Sequence, residues 1–208
     1  MNIRHKEDSP LVSIGVPTYN RPALLSKVLN CLIAQTYQNL EIVVSDNCTP
    51  GPEVKSILDD FQAKDKRVRG FIQPQNFGST HNGKFVLEKS ADKYFMWLSD
   101  DDLISERFIE ETVNFLEANE DYSMASGMPF WMDQEITKRG PLPVIALENN
   151  NRRKRIFSYI FHVEDNCVFY SLFRRSHINH IYPLPVYPGN DWLMVIRLRF
   201  PPTSVGKE

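Results

Sequence analysis

The sequence predicts an α/β fold in which a mostly parallel sheet carries helices on both faces. The first indication is an alternation of β-branched apolar segments with segments of helical spacing, which continues through about 120 residues. The second is that polar residues follow each predicted strand, where they would meet at one edge of the sheet. We therefore expect a polar N-terminal extension at 1–10, an α/β half at 11–125 and a smaller region of the same domain at 126–208.

The α/β half is predicted to contain four strands and four helices in alternation. Strands are expected at 11–16, 40–45, 68–72 and 93–98. Pro22 and Pro52 suit helix starts, and the segment 76–90 is expected to turn at Gly78 before becoming helical. Ser105 is predicted to cap a helix over 106–119.

The second half is less regular. A strand is predicted at 122–128, followed by a loop with Gly140, Pro141 and Pro143. The basic run RRKR at 152–155 is predicted to be the solvated start of a helix that ends near residue 162. The remaining expectations are a strand at 166–173, an extended segment at 182–190 and a short helix at 191–200.

The bulk composition excludes several classes of protein. The net charge is -2 and the sequence pI is about 6.2, so no overall basic field favours nucleic acid. Three cysteines without paired spacing indicate reduced thiols rather than a disulfide framework or a zinc site. The N-terminus lacks the apolar core of a signal peptide, and no stretch is long enough to span a bilayer, so we expect a cytoplasmic protein.

The most informative feature is a run of three aspartates, Asp100, Asp101 and Asp102, directly after the apolar strand segment YFMWL. Carboxylates this close repel one another unless something positive shares the site. One alternative is a solvated turn leading into a helix, for which a single carboxylate would suffice. The other is a hard divalent cation, Mg²⁺ or Mn²⁺, held together with substrate phosphates and water. No Walker-type glycine loop with its lysine is present, so phosphate binding would depend on the metal.

The ends of the other predicted strands add polar residues to the same edge. They are Thr18, Tyr19 and Asn20 after the first strand, Asp46 and Asn47 after the second, and Asn76 to Gly78 after the third. Each group alone is compatible with turn chemistry, which for Asp46 taken singly is the favoured interpretation. Four polar turns at one edge of one sheet favour a binding site.

These residues carry a resemblance to a known family. The segment VSIGVPTYNRPALLSKVLNCLIAQTYQNLEIVVSDNC resembles the opening of family 2 glycosyltransferases, whose domain has the GT-A nucleotide-diphospho-sugar fold. LEIVVSDN is similar to that family's second strand, NFGSTHNG to its Asn- and Gly-containing loop, and YFMWLSDDD to its strand ending in the Asp-X-Asp metal motif. The later PGNDWLMVIRL resembles the acidic motif that supplies the base.

The resemblance implies a role for each matched residue. Asp46 would accept a hydrogen bond from the N3–H of a uracil-type base, with Pro17, Thr18 and Tyr19 lining that side. Asp100 would contact the ribose or the metal, Asp101 would bind the metal that bridges the diphosphate, and Asp102 would orient the loop or join the metal ligands. Asp191 would be the general base, whereas from the sequence alone an N-cap of the helix predicted at 191–200 is an equal alternative for this residue. The remaining donor-binding positions would be Asn20, Asn76, Gly78, His81 and Asn82.

The chain departs from the family pattern at two places. His81-Asn82 stands where the family often has Arg-Asn, and Ser99 takes the first position of Asp-X-Asp if LSDD is the aligned segment. The chain also ends soon after Asp191, where relatives usually continue, so the acceptor-side region is expected to be partly truncated.

The resemblance implies an inverting sugar transfer from a nucleotide-diphospho-sugar, with Mg²⁺ or Mn²⁺ as cofactor and a glycan or lipid-linked acceptor. A lipid-linked acceptor is compatible with a position at the inner face of the membrane. Two other hypotheses stay open: a nucleotidyltransferase, which would exchange pyrophosphate instead of releasing nucleoside diphosphate, and a nucleotide-sugar-binding domain without turnover. A phospho-receiver domain also places acids at strand ends, but no matching lysine is evident here.

Overall fold

The computed structural model describes residues 9–90, 93–132, 138–142, 149, 151–162, 167–179, 181 and 204–205. The chain divides into two compact units, Met1–Glu110 and Glu111–Glu208. Helix α4, Phe108–Ala118, includes the point in the sequence where the first unit ends.

The first unit alternates strands and helices as the sequence predicts. Its elements are β1 (Val12–Thr18), α1 (Pro22–Ile33), β2 (Leu40–Asp46), α2 (Glu53–Lys64), β3 (Val68–Ile72), α3 (Ser79–Lys89) and β4 (Tyr94–Trp97). The four strands lie side by side in the order β3-β2-β1-β4, and every pair is parallel. The chain therefore builds outward from β1 to β3 and then crosses back to place β4 on the other side of β1.

Helices cover both faces of this sheet. Every residue of β1 from Val12 to Val16 is buried, which a sheet with one solvated face would not produce. Gly15 and Val43 are register partners, as are Val44 and Gly70, so the two glycines lie on opposite faces. A Cβ on Gly15 would meet Val86 of α3, whereas a Cβ on Gly70 would meet Leu58 of α2. Helices α2 and α3 therefore pack on opposite faces.

Helix α1 shows why these segments become helical. Pro22 occupies its first turn, where the missing N–H costs no hydrogen bond. Leu25, Val28, Leu29 and Leu32 recur at helical spacing and are all buried.

The second unit is less regular and contains both parallel and antiparallel pairs. Its further elements are β5 (Met124–Ser126), β6 (Phe130–Met132), β7 (Lys138–Pro141), α5 (Arg152–His162), β8 (Leu172–Arg174), α6 (Arg175–Ile178) and β9 (Ser204–Val205). Strand β5 pairs antiparallel with β8 and parallel with β9, while β6 and β7 form an antiparallel pair. Most described strand pairs are parallel, so the prediction of a mostly parallel α/β sheet is confirmed.

Four local predictions were wrong. Arg155 of the RRKR run, predicted to be solvated, is buried on α5. Helix α4 begins at Phe108 rather than after Ser105, because the Ser105 carbonyl accepts the Phe108 N–H at 3.0 Å in a preceding turn. Residues Cys167–Tyr170 form a 3₁₀ helix, so the strand predicted at 166–173 is limited to β8. The loop predicted around Gly140 contains β7. The elements predicted at 182–190 and 191–200 lie outside the described residues.

Two features bear on the predicted absence of a disulfide framework and of a membrane-spanning segment. Cys31, Cys48 and Cys167 are free and each is partly buried. Among the helices in the described ranges, none has the length and apolar character needed to cross a membrane.

Candidate functional site

The strand order reverses between β1 and β4, and open parallel sheets bind ligands outside the carboxyl ends of the strands at such a point. Thr18 ends β1, and Asp100 follows β4 after two residues of loop. The Thr18 hydroxyl donates a buried hydrogen bond of 2.7 Å to Asp100 Oδ2. Asp100 is only 4% exposed, and the bond from Thr18 fixes the orientation of its carboxylate at this edge of the sheet.

Arg21 is the positive partner of the aspartate run. Its Nη1 donates to Asp100 Oδ1 at 3.1 Å and to Asp101 Oδ2 at 2.7 Å, so one nitrogen bridges two carboxylates. The charges of Asp100 first, and of Asp101 second, raise the pKa of Arg21 above its ordinary value, and the guanidinium stays charged. The sequence analysis did not identify Arg21 as a candidate site residue. The signal that could have identified it is the need of three adjacent carboxylates for a cation.

Asp101 and Asp102 occupy the turn that follows. The Ser99 hydroxyl donates to Asp101 Oδ1, while Asp101 Oδ2 receives Arg21. Asp102 is exposed, and its backbone N–H donates to the Ser99 carbonyl at 3.4 Å.

The donor set at this turn fits a hard divalent cation. Asp100 Oδ1 and Asp101 Oδ2 both lie within hydrogen-bond reach of a single atom, so two carboxylate oxygens converge on one point. Oxygen ligands of this kind suit Mg²⁺ or Mn²⁺. One guanidinium offsets only part of the charge of three carboxylates. In the described part of the chain, no three acidic, histidine or cysteine side chains are grouped so as to hold a metal by themselves.

Asp46 ends the neighbouring strand β2 and organises the loop that follows it. It is the register partner of Thr18 and is 1% exposed. Its Oδ2 accepts the Thr49 N–H at 2.9 Å, and its Oδ1 accepts the Thr49 hydroxyl at 2.5 Å. These are the turn contacts that the single-residue interpretation favoured, and each carboxylate oxygen has the capacity to accept a second hydrogen bond.

The loops after β1 and β2 are held in unusual backbone conformations. Asn20 and Cys48 have φ of 57° and 68°. Among the residues that the structure describes, these two are the non-glycine residues with a positive φ. The Asn20 N–H donates to Thr49 Oγ1 at 2.7 Å, which joins the two loops. Such conformations cost free energy and often occur where a ligand site requires them.

Asn47 and Asn76 connect the loop after β2 with the loop after β3. Asn47 Nδ2 donates to Asn76 Oδ1 at 2.7 Å, and Asn47 Oδ1 accepts the Phe77 N–H at 3.0 Å. Asn76 Oδ1 also accepts the Gly78 N–H at 2.8 Å. Gly78 has φ of 85°, and its missing side chain leaves the start of α3 open.

His81 and Asn82 lie on α3 in different environments. His81 is exposed and its ring packs against Phe77 with 4.6 Å between centroids. Asn82 is buried, and its Nδ2 donates to the carbonyls of Ser45 at 2.9 Å and Thr18 at 3.3 Å. Asn82 thus ties the ends of β1 and β2 together.

The remaining predicted site residues divide into two groups. Pro17 lies in β1, and Tyr19 follows that strand with 43% of its surface exposed, so its ring is accessible. Asp191 lies outside the described residues. The structure therefore brings the predicted residues of the first unit to one sheet edge, and Asp191 as base stays a prediction.

Comparison with known proteins identifies the family. The model of glycosyl transferase family 2 matches residues 13–182. The chain belongs to this family. An uncharacterized glycosyltransferase of Haemophilus influenzae is 35% identical over 111 residues, which make up 53% of this chain and 44% of the relative.

A second relative, of Campylobacter jejuni, is named GalNAc(5)-diNAcBac-PP-undecaprenol beta-1,3-glucosyltransferase. It is 31% identical over 123 residues, covering 57% of this chain and 38% of the relative. The matches therefore span less than half the length of these two relatives.

Solved structures share the GT-A fold with this chain. Staphylococcus aureus TarS 1–349 in complex with UDP superposes with a TM-score of 0.75 at 18% identity, covering 95% of this chain and 58% of the TarS 1–349 chain. The mannosyltransferase PcManGT of Pyrobaculum calidifontis, solved with GDP-Man and Mn²⁺, gives a TM-score of 0.65 at 16% identity, covering 97% of this chain and 58% of PcManGT.

Proposed function

We propose that this family 2 chain binds a nucleotide-diphospho-sugar and belongs to an inverting, metal-dependent hexosyltransferase. The observation that carries the proposal is the convergence of Asp100 Oδ1 and Asp101 Oδ2 on one point at the carboxyl end of β4. Asp46 flanks the same Thr18 that fixes Asp100, so a nucleotide could lie across the edge with its base at one carboxylate and its diphosphate at the other two.

The donor is proposed to be UDP-linked. Asp46 would accept the N3–H of uracil through its free lone pairs, and Tyr19 and Pro17 would line the base. Asn76 and Gly78 bound this side of the edge and leave it open at the start of α3. TarS, which shares the fold, has been solved with UDP and with UDP-GlcNAc, and this supports a uridine donor.

Asp100 and Asp101, with Asp102 on the same turn, would hold Mg²⁺ or Mn²⁺. A cation bound there would neutralise the negative charge that develops on the departing diphosphate. The hard oxygen donors and the excess of carboxylates over guanidinium support this assignment. Because the described residues supply fewer than three grouped side-chain ligands, diphosphate oxygens and water would complete the coordination.

Asp191 is proposed as the general base. An acceptor hydroxyl must lose its proton as its oxygen attacks the anomeric carbon, and a carboxylate within hydrogen-bond reach can accept that proton. Attack from the side opposite the diphosphate inverts the anomeric centre.

The acceptor is proposed to be a glycan on a lipid carrier, as the name of the Campylobacter jejuni relative suggests. We propose that the transfer takes place at the cytoplasmic face of a membrane, and helix α5 supports contact with a lipid surface. It exposes Phe157, Ile160 and Phe161, and the exposed cations Arg153 and Lys154 lie one turn earlier. Aromatic side chains beside cations suit a surface of anionic lipid.

Vesicle sedimentation tests this membrane assignment. The wild-type protein should bind vesicles that contain phosphatidylglycerol better than vesicles of phosphatidylcholine alone. The double variant Phe157→Ser, Phe161→Ser should lose this preference, and Leu24→Ser, which changes an exposed apolar residue of α1, should keep it. Equal binding of both vesicle types by the wild type would contradict the assignment.

The donor proposal is tested with a panel of UDP-hexoses and GDP-mannose, each with Mn²⁺, Mg²⁺ or EDTA. A bound donor at about 100 times its Kd should add roughly 2.7 kcal/mol to the free energy of unfolding. We expect thermal stabilisation by one UDP-hexose with Mn²⁺ that EDTA abolishes, and release of UDP once an acceptor is supplied. Pyrophosphate exchange would favour nucleotidyl transfer, and binding with no turnover would favour a donor-binding module. Failure of every nucleotide sugar to stabilise the protein would contradict the proposal.

A further inference from the structure

We propose that Arg21 is a diphosphate-binding residue that stays paired with the metal-binding aspartates until the donor binds. In the donor-free protein Arg21 occupies the point between Asp100 and Asp101. When metal and donor arrive, it moves to the donor's diphosphate. The inference rests on the proposed function. It adds Arg21 to the donor-binding residues and couples binding of the metal to binding of the donor.

A metal ion and the Arg21 guanidinium cannot share the aspartate pair. Nη1 of Arg21 contacts the same two oxygens that would bind the metal, Asp100 Oδ1 and Asp101 Oδ2. A divalent ion placed between these oxygens would meet a like charge within bonding distance. Arg21 must therefore leave the pair before a metal can bind to both carboxylates.

Arg21 is built to move its side chain while its backbone stays in place. Pro22 fixes the next residue in the first turn of α1, and the Arg21 carbonyl accepts the Leu25 N–H at 3.0 Å. The Arg21 side chain makes no capping hydrogen bond to the helix, and it is 49% exposed. The Asp100 carboxylate, in contrast, is buried and fixed by Thr18. Of the groups in this contact, the guanidinium has the greatest freedom to move.

The group suited to receive Arg21 is the diphosphate. A guanidinium presents paired N–H donors that match phosphate oxygens better than an ammonium does. The diphosphate would bind the same metal that displaces Arg21, so the displaced cation would find its new partner within the reach of one side chain. Arg21 thereby opposes metal binding without the donor and favours binding of metal and donor together.

The measurement compares Arg21→Gln with wild type for two ligands, Mn²⁺ alone and UDP in the presence of Mn²⁺. Removing a half-exposed ion pair should tighten binding of Mn²⁺ alone by about two- to fivefold. Removing a charged contact to phosphate should weaken UDP binding by about tenfold or more. Titration calorimetry measures UDP binding, and electron paramagnetic resonance of free Mn²⁺ measures metal binding alone. The two effects have opposite signs.

Arg69→Gln is the matched control. Arg69 is 44% exposed and forms an ion pair of 2.7 Å with Glu41 near the amino ends of β3 and β2, away from the carboxyl ends that carry the proposed site. It should leave both affinities unchanged. Arg21→Lys keeps the charge and should give intermediate values for both ligands, and thermal unfolding verifies that each variant is folded.

Two results would overturn the inference, and they differ from failure of the proposed function. If Arg21→Gln loses affinity for both ligands equally, Arg21 only orders the aspartates. If it changes neither affinity, Arg21 takes no part in binding. In both cases wild-type binding of UDP with Mn²⁺ still stands. If the wild type itself binds no UDP with or without Mn²⁺, the proposed function fails and this inference fails with it.

Discussion

Thr18 and Asp100 are separated by 82 residues in the sequence and joined by a buried hydrogen bond of 2.7 Å. The bond links the ends of β1 and β4, the two strands between which the sheet order reverses. One hydroxyl thus couples the base side of the proposed donor site, where Asp46 pairs with Thr18, to the metal side.

Thr18→Val should test this coupling. Valine has the same shape but cannot donate, so the buried Asp100 carboxylate loses a partner and the fold should lose about 1–3 kcal/mol. Binding of UDP with Mn²⁺ should weaken because Asp100 is less well oriented. Thr18→Ser retains the hydroxyl and should bind nearly as the wild type does. Denaturant unfolding and calorimetry measure the two effects, and equal UDP affinity in the Val and Ser variants would exclude a positioning role.

Asp46→Ala should weaken UDP much more than pyrophosphate, since the proposed contact is to the base. Asp46 also holds Thr49, so loss of the loop must be separated from loss of the base contact. Thr49→Ala provides that separation, because it removes the hydroxyl contact and leaves the carboxylate. Calorimetry with both ligands should show the larger UDP loss in Asp46→Ala. If pyrophosphate and UDP weaken together, Asp46 lies outside the base pocket.

Gly15→Ala should destabilise the first unit without touching the site. An added Cβ would lie 2.7 Å from Phe95 Cζ and from Val86 Cγ2, and Phe95 is fully buried. Overpacking of this kind costs about 1–3 kcal/mol. Gly70→Ala should cost less, because its nearest neighbours are atoms of one leucine at 3.1–3.3 Å. Urea denaturation measures the free energy of unfolding of both variants. An equal or smaller loss in Gly15→Ala would show that the close packing around Gly15 does not determine the cost of the added methyl group.

The sequence was sufficient to predict the strand and helix order of the first unit and the sheet edge at which its polar residues meet. The element order follows from the local hydrophobic periodicity, and the edge follows from the rule that parallel sheets bind ligands at the carboxyl ends of their strands. Arg21 was missed because its partners are about eighty residues away, and nothing local marks a distant ion pair. Arg155 was predicted to be solvated within RRKR but is buried on α5, where its guanidinium donates to the Asn149 carbonyl. The segment Cys167–Tyr170 has strand-like composition but forms a 3₁₀ turn, because strand propensity depends strongly on context.

Asp191→Asn should separate catalysis from donor binding. Asparagine keeps the size of the side chain but cannot accept the acceptor's proton. Donor affinity should stay near the wild-type value while the transfer rate falls by about two to four orders of magnitude. If Asp191 is only a helix cap, asparagine is nearly as good and the rate should hardly change. Single-turnover transfer to an identified acceptor distinguishes the two.

The most direct test of the central claim is calorimetric binding of UDP with Mn²⁺ to Asp101→Ala. Asp101 supplies one of the two converging oxygens and is partly exposed, so its removal should leave the fold intact. Asp60→Ala, at an exposed aspartate of α2, is the control and should bind as the wild type does. We predict that Asp101→Ala loses the metal-dependent part of UDP binding, so that Mn²⁺ and EDTA give the same weak affinity. Wild-type affinity for UDP with Mn²⁺ in Asp101→Ala would contradict the account.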